Sequence, residues 1–280
     1  MSYKSFFILI CLTLAVSSCS EEKPGLRNFN SSSGAQTLVS PAAKDETAGK
    51  EVFITDLWKE SLENAGLPDS IKERLYSHLM QGPDFVMELL SFMDGDPYLY
   101  KLVDKQHALG SGYVPDDLVD LAAGSYRVTR ELTLRRAAAE SLEVMAAAAR
   151  ADGVVLTAGS AFRTYDYQAG LYEQNVRELG QQAADRESAR PGHSQHQLGL
   201  VVDFHPIEDS FAQTAESSWL LKNALRFGWS LSYPQGYEDI TGYRWESWHY
   251  RYLGPSLAEF TEKYFDGIQQ YALQFIEAWK

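Results

Sequence analysis

Two short segments of this chain hold the residue types that metal-assisted hydrolysis needs. The first runs Pro191-Gly192-His193-Ser194-Gln195-His196-Gln197-Leu198-Gly199-Leu200-Val201-Val202-Asp203. On a strand beginning near Gly199, alternation puts Val201 and Asp203 on one face and Leu200, Val202 and Phe204 on the other. The second face is wholly apolar and predicts core. Asp203 then sits among apolar neighbours, where a carboxylate needs a compensating partner, a metal ion or an arginine. His196 precedes the strand, and a turn permitted by glycine can fold it back beside Asp203.

The second segment is Trp245-Glu246-Ser247-Trp248-His249-Tyr250. Glu246 and His249 fall on opposite faces of a regular strand, so they converge only if the backbone turns between them. The alternative is an aromatic strand carrying a surface glutamate. Together the segments supply two imidazoles, one carboxylate ligand and one spare carboxylate. Three protein ligands with an open position is the pattern of catalytic zinc, whereas a structural site is closed by a fourth. The spare carboxylate suits a general base acting on water.

These residues must be positioned by the surrounding elements. Leu200 to Phe204, Trp229 to Tyr233 and Trp248 to Leu253 read as strands, and Val154 to Thr157 as a further short one. A long Ala- and Leu-rich helix is expected at about Thr129–Ala151, another over 165–179 ending at Gly180, and one over Ser217–Phe227 closed by Gly228. A C-terminal helix runs through Leu257, Phe260, Tyr264, Ile268 and Tyr271. The expectation is an α+β fold, a small antiparallel sheet carrying the metal site and flanked by helices, with an N-terminal helical extension.

The chain has 280 residues, of which 45% are apolar and 22% charged, and this excludes a disordered tract, a fibre or a multi-span membrane protein. Its 25 Lys and Arg against 38 Asp and Glu give a net charge of −13, which argues against nucleic acid as a partner. Both cysteines, Cys11 and Cys19, precede the region of interest, so thiolate catalysis and Cys-ligated metal are excluded there.

At the amino terminus, Lys4 precedes an apolar stretch from Phe6 to Val16. At 1.5 Å per helical residue that stretch is too short to cross a hydrocarbon core of about 30 Å, and it reads as a signal segment. Val16-Ser17-Ser18-Cys19 resembles the lipobox of bacterial lipoproteins, which implies lipidation at Cys19, export and anchoring at the cell envelope; an ordinary secretory signal is the alternative. The expected organisation is a signal segment over 1–19, a flexible Ser-, Gly- and Pro-containing tether over 20–50, a helical extension over 51–94 and the main domain over 95–280.

Ser194-x-His196 with Asp203, followed by Glu246-x-x-His249, resembles the signature of VanY-type D-alanyl-D-alanine carboxypeptidases, in the zinc peptidase group that includes lysostaphin and the Hedgehog signalling domain. Leu102-Val103-Asp104-Lys105-Gln106-His107, Tyr113-Val114-Pro115-Asp116-Asp117-Leu118, Ser160-Ala161-Phe162-Arg163-Thr164, Gln168 and Ile240-Thr241-Gly242-Tyr243 are similar to family landmarks, over roughly residues 95–255. Two departures bear on substrate fit: Ser247 where the family often has Pro, and Ala161-Phe162 where Gly-Tyr is usual.

The resemblance implies one zinc ion held by His196, Asp203 and His249, with Glu246 as general base. It implies that Arg163 serves substrate and transition state, a role suited to a planar, permanently charged fork. Ser194 and Gln168 resemble substrate-binding residues, and Trp248 is expected to shape the pocket. His193 and His205 are read as structural. The implied partner is a peptidoglycan stem peptide, losing its terminal D-alanine. An L,D-carboxypeptidase acting on tetrapeptide stems, or a non-catalytic zinc-containing wall-binding module, are the alternatives.

Overall fold

The computed structural model describes residues 58–82 and 84–279, so the signal segment, Cys19 and the tether lie outside the described residues. Helical residues 58–64 lead into α1 (Asp69–Gln81) and α2 (Asp84–Met93). Three short strands follow, β1 (Leu118–Asp120), β2 (Arg127–Val128) and β3 (Thr133–Arg135), then α3 (Arg136–Ala151). Next come β4 (Thr157–Ser160), α4 (Tyr165–Leu179), α5 (Gln181–Glu187) and β5 (Val201–Phe204). The remainder is α6 (Ala215–Asn223), β6 (Trp229–Leu231), α7 (Glu238–Thr241), β7 (His249–Tyr252), α8 (Pro255–Phe265) and α9 (Gln269–Trp279).

The fold is α+β, as the helix and strand periodicities predict. Five strands form one sheet in the order β2-β4-β5-β7-β6, antiparallel except for the β2–β4 pair at one edge. β1 and β3 make a separate antiparallel ribbon. Leu200, Val202 and Phe204 are all fully buried, so the apolar face of β5 is core as expected. That core is completed by the inward stripe of α3, including Ala138, Leu142, Met145 and Ala149. Burying a side chain the size of Leu142 or Phe204 contributes about 1.5–3 kcal/mol.

A second apolar cluster joins the N-terminal helices to the C-terminal ones. Trp58 stacks on Phe275 with ring centroids 5.9 Å apart, and Phe85 meets Tyr264 edge-on at 4.8 Å. The N-terminal helices therefore share their core with α8 and α9. Among the described residues, no helix is long and apolar enough to cross a membrane.

Several element bounds differ from expectation for identifiable reasons. The helix expected from Thr129 begins at Arg136, because Thr133–Arg135 pair with β1 instead. The strand expected at Val154–Thr157 lies at Thr157–Ser160, where tertiary pairing overrides the poor strand propensity of Ala158 and Gly159. The helix over Ser217–Phe227 is α6 followed by a 3-10 turn at Ala224–Phe227, and Gly228 closes it with φ 84°. The C-terminal helix is two helices, broken where Asp266 and Gly267 both take positive φ.

Candidate metal and catalytic centre

Sheet register brings the site together. Asp203 on β5 stands directly opposite Ser160 on β4 and His249 on β7, so these three side chains form a row on one face. His196 arrives from the 3-10 turn Gln195–Leu198, which ends on Gly199 at φ 68°. A side chain at Gly199 is disfavoured both by that φ and by Arg135 Cγ, 2.9 Å from where a Cβ would lie. The glycine turn thus folds His196 back beside Asp203. Glu246 precedes β7 in a turn closed by His249 N donating to Glu246 O at 3.3 Å. That turn supplies the convergence a straight strand cannot.

The nitrogens and oxygens offered by His196, Asp203 and His249 lie within 4.8 Å of one another, and all three residues are buried. His196 Nε2 is 3.0 Å from Asp203 Oδ2, and His249 Nδ1 is 3.1 Å from Asp203 Oδ1. His249 Nδ1 is also 3.2 Å from Glu246 Oε2. The other nitrogen of His196, Nδ1, donates to the Ala161 carbonyl at 2.6 Å, which leaves the Nε2 lone pair facing the site. His196 Nε2 and Asp203 Oδ1 are buried without a hydrogen-bond partner. Two buried acceptors without hydrogen-bond partners in one cluster are costly in a dry site. A divalent cation is the species that satisfies both, so the residues present fit a metal.

The electrostatics agree. Burial, and then the Arg163 guanidinium, push His196 down to about 4, so it stays neutral and able to ligate. Burial opposes the charge on Asp203, but His196 and Arg163 outweigh it and hold the carboxyl well below the usual range. Burial raises the pKa of Glu246, with His249 acting against it. Burial disfavours protonation of His249, but Asp203 and Glu246 prevail and lift it to about 8. Two carboxylates a few ångströms apart are thus pushed in opposite directions, an arrangement that suits them to different work.

Arg163 follows β4 and reaches the same row. Its Nη2 donates to Asp203 Oδ2 at 2.6 Å, and Nε and Nη2 both donate to Ser160 Oγ, at 3.0 and 2.9 Å. Asp203 therefore has an arginine partner as well as the geometry of a ligand: one oxygen faces the guanidinium and the other is orphaned. Ser194 and Trp248 line the cleft, which has a volume of about 460 Å³. Gln168 does not line it. It is 1% exposed, with Oε1 accepting from Arg163 Nη1 at 3.5 Å and Nε2 donating to the Ala189 carbonyl at 2.8 Å. The structure places it behind Arg163 as a brace rather than against a substrate.

Other residues of the site carried no role in the sequence reading. The Tyr233 ring packs on His249 with centroids 4.6 Å apart, and Tyr243 packs on Tyr233. Arg244 lies on the wall, held by Glu187 at 2.6 Å and Asp209 at 2.7 Å. Leu171, Asn175 and Leu179 line the cleft from one face of α4. Helical spacing predicts that shared face, but nothing in the spacing says which cleft it borders.

Comparison with known proteins covers the same region. The sequence pattern of the VanY family, D-alanyl-D-alanine carboxypeptidase, matches residues 131–255, which hold His196, Asp203, Glu246, His249 and Arg163. The chain is 34% identical over 240 residues to the putative carboxypeptidase YodJ of Bacillus subtilis (strain 168), covering 80% of this chain and 85% of that protein. Among solved structures, the LdcB LD-carboxypeptidase is 34% identical with a TM-score of 0.53, covering 60% of this chain and 85% of that one. The vancomycin-resistance D,D-pentapeptidase VanY, solved in complex with Zn(II), is 31% identical with a TM-score of 0.50, covering 61% and 96%. Shared sequence over most of a relative's length, a shared fold, and a matched region that contains the whole His-Asp-His cluster together establish that this chain belongs to the VanY D-alanyl-D-alanine carboxypeptidase family.

Proposed function

We propose that the chain is a zinc-dependent carboxypeptidase that removes the terminal D-alanine from peptidoglycan stem peptides. The observation that carries this reading is the convergence of His196, Asp203 and His249, two of whose buried acceptors lack a hydrogen-bond partner, beside Glu246 and Arg163 in one cleft. His196 Nε2, an Asp203 oxygen and His249 Nδ1 would hold the ion. Zinc bound there supplies Lewis acidity and lowers the pKa of water at its open position. The remaining steps belong to the protein. Glu246, whose pKa burial raises, takes a proton from the attacking water and returns it to the leaving amine. Arg163 places a fixed positive charge where negative charge develops on the scissile carbonyl or stands on the terminal carboxylate. Gln168 and Ser160 hold that guanidinium in place.

A second reading is an L,D-carboxypeptidase acting on tetrapeptide stems, favoured by the likeness to LdcB. Incubation of the zinc-loaded protein with purified pentapeptide and tetrapeptide muropeptides, followed by mass spectrometry, separates the two. Loss of one alanine from the pentapeptide supports the D,D reading, and loss from the tetrapeptide alone supports the L,D reading. No release from either overturns both. The apolar stretch before Val16-Ser17-Ser18-Cys19 supports export and a lipid anchor at Cys19, which would place this chemistry at the cell envelope.

A further inference from the structure

A chain of buried polar side chains runs from the C-terminal helix to His249. Gln269, in the first turn of α9, donates from Nε2 to Ser232 Oγ at 2.7 Å. The Ser232 hydroxyl donates to Gln195 Oε1 at 2.8 Å, and that same oxygen receives His249 Nε2 at 3.4 Å. Gln269, Ser232, Gln195 and His249 are 1%, 2%, 2% and 4% exposed, so water does not substitute for any link. The polarity is consistent along its length. With Nδ1 engaged by a metal ion, the imidazole carries its proton on Nε2, and Gln195 presents an oxygen there. Gln195 is also the residue before His196, so one side chain braces His249 while its backbone carries the other imidazole.

Gln269 lies beyond residues 131–255, the stretch that matches the family. Its helix shares a core with the N-terminal helices, through Phe275 against Trp58 and Phe85. We propose that Gln269, acting through Ser232 and Gln195, is a positioning residue that orients the His249 imidazole so that Nδ1 faces the metal centre, making α9 part of the site. Partners of this kind orient a ligand ring and raise its basicity, and their loss typically weakens metal binding by about 10- to 100-fold. The inference rests on the metal-binding reading above.

The test measures zinc affinity by chelator competition in full-length wild type, Gln269→Leu, Ser232→Ala and Ser232→Thr. It also follows the His249 Nε2 proton by NMR in the zinc-loaded, histidine-labelled proteins. Gln269→Leu and Ser232→Ala are expected to bind zinc about 10- to 100-fold more weakly and to expose that proton to solvent exchange, while Ser232→Thr restores both. Leu273→Ala is the control, because Leu273 is fully buried on the same helix and outside the relay. Zinc affinity within about twofold of wild type in both disruptive variants overturns the proposal, as does an equal loss in Leu273→Ala. A wild-type protein that binds no zinc overturns the metal-binding reading instead.

Discussion

Asp203 and His249 stand directly opposite each other on neighbouring antiparallel strands, with His249 Nδ1 3.1 Å from Asp203 Oδ1. The hydrogen-bonded register of β5 and β7, not side-chain reach, makes this pair. His196 is added by a turn on the same strand's approach. His196→Ala is therefore expected to remove one ligand without disturbing the sheet. Zinc content should fall from about one per chain to near zero, together with D-alanine release. Metal analysis before and after dialysis against chelator checks this, and retained stoichiometry in the variant would remove His196 from the ligand set.

Glu246→Gln separates metal binding from turnover. The side chain keeps its size but cannot accept a proton from water. Zinc content should remain at the wild-type level while the release rate falls by about 10²- to 10⁴-fold. Turnover at the wild-type rate would assign the base elsewhere.

The same substitution has a consequence for stability. Burial raises the folded pKa of Glu246 above its ordinary value of 4.5. At low pH both folded and unfolded chains carry the proton. As pH rises through 4.5 the unfolded group ionises first, and stability falls until the folded group follows. In chelator, Glu246→Gln should be more stable than wild type at neutral pH, with the advantage shrinking as pH falls through the raised folded pKa toward 4.5 and gone below it. Urea unfolding across that range measures the gap; a gap that grows toward acid would contradict the sign.

Arg163→Lys keeps the charge and loses the fork that bridges Ser160 and Asp203. The rate is expected to drop by about 10²- to 10³-fold, with zinc content unchanged. A variant that loses zinc as well would show that Arg163 acts chiefly by supporting Asp203.

Cys19→Ala tests the proposed lipid anchor. The variant should leave the membrane fraction and lose incorporation of labelled fatty acid, with catalysis by the purified domain unaffected. Membrane association identical to wild type would exclude lipidation at that residue.

Much of the core was legible because local patterns encode it. Leu200, Val202 and Phe204 alternate, and the alternation alone assigns Asp203 to the other face. Gly199 marks the turn that returns His196, because positive φ there admits glycine readily and other residues poorly. The β4 strand was displaced, since Thr157-Ala158-Gly159-Ser160 owes its extended form to neighbours on both sides rather than to its own propensity. Gln168 resembles a substrate contact of the family, but packing turns it inward.

By itself the amino-acid sequence singled out the side chains proposed to carry the chemistry: two histidines, two carboxylates and an arginine, in spacings that resemble a peptidase family. It also determined that β5 has a buried apolar face. Only the tertiary structure decided that Asp203 offers one oxygen to Arg163 and leaves the other orphaned toward His249. Only it joined Gln269 to Ser232, and Ser232 to Gln195, across separations of 37 residues each. The physical reason is that periodicity reports which face of an element is dry, whereas a contact between distant elements depends on register and packing, which leave no periodic trace along the chain.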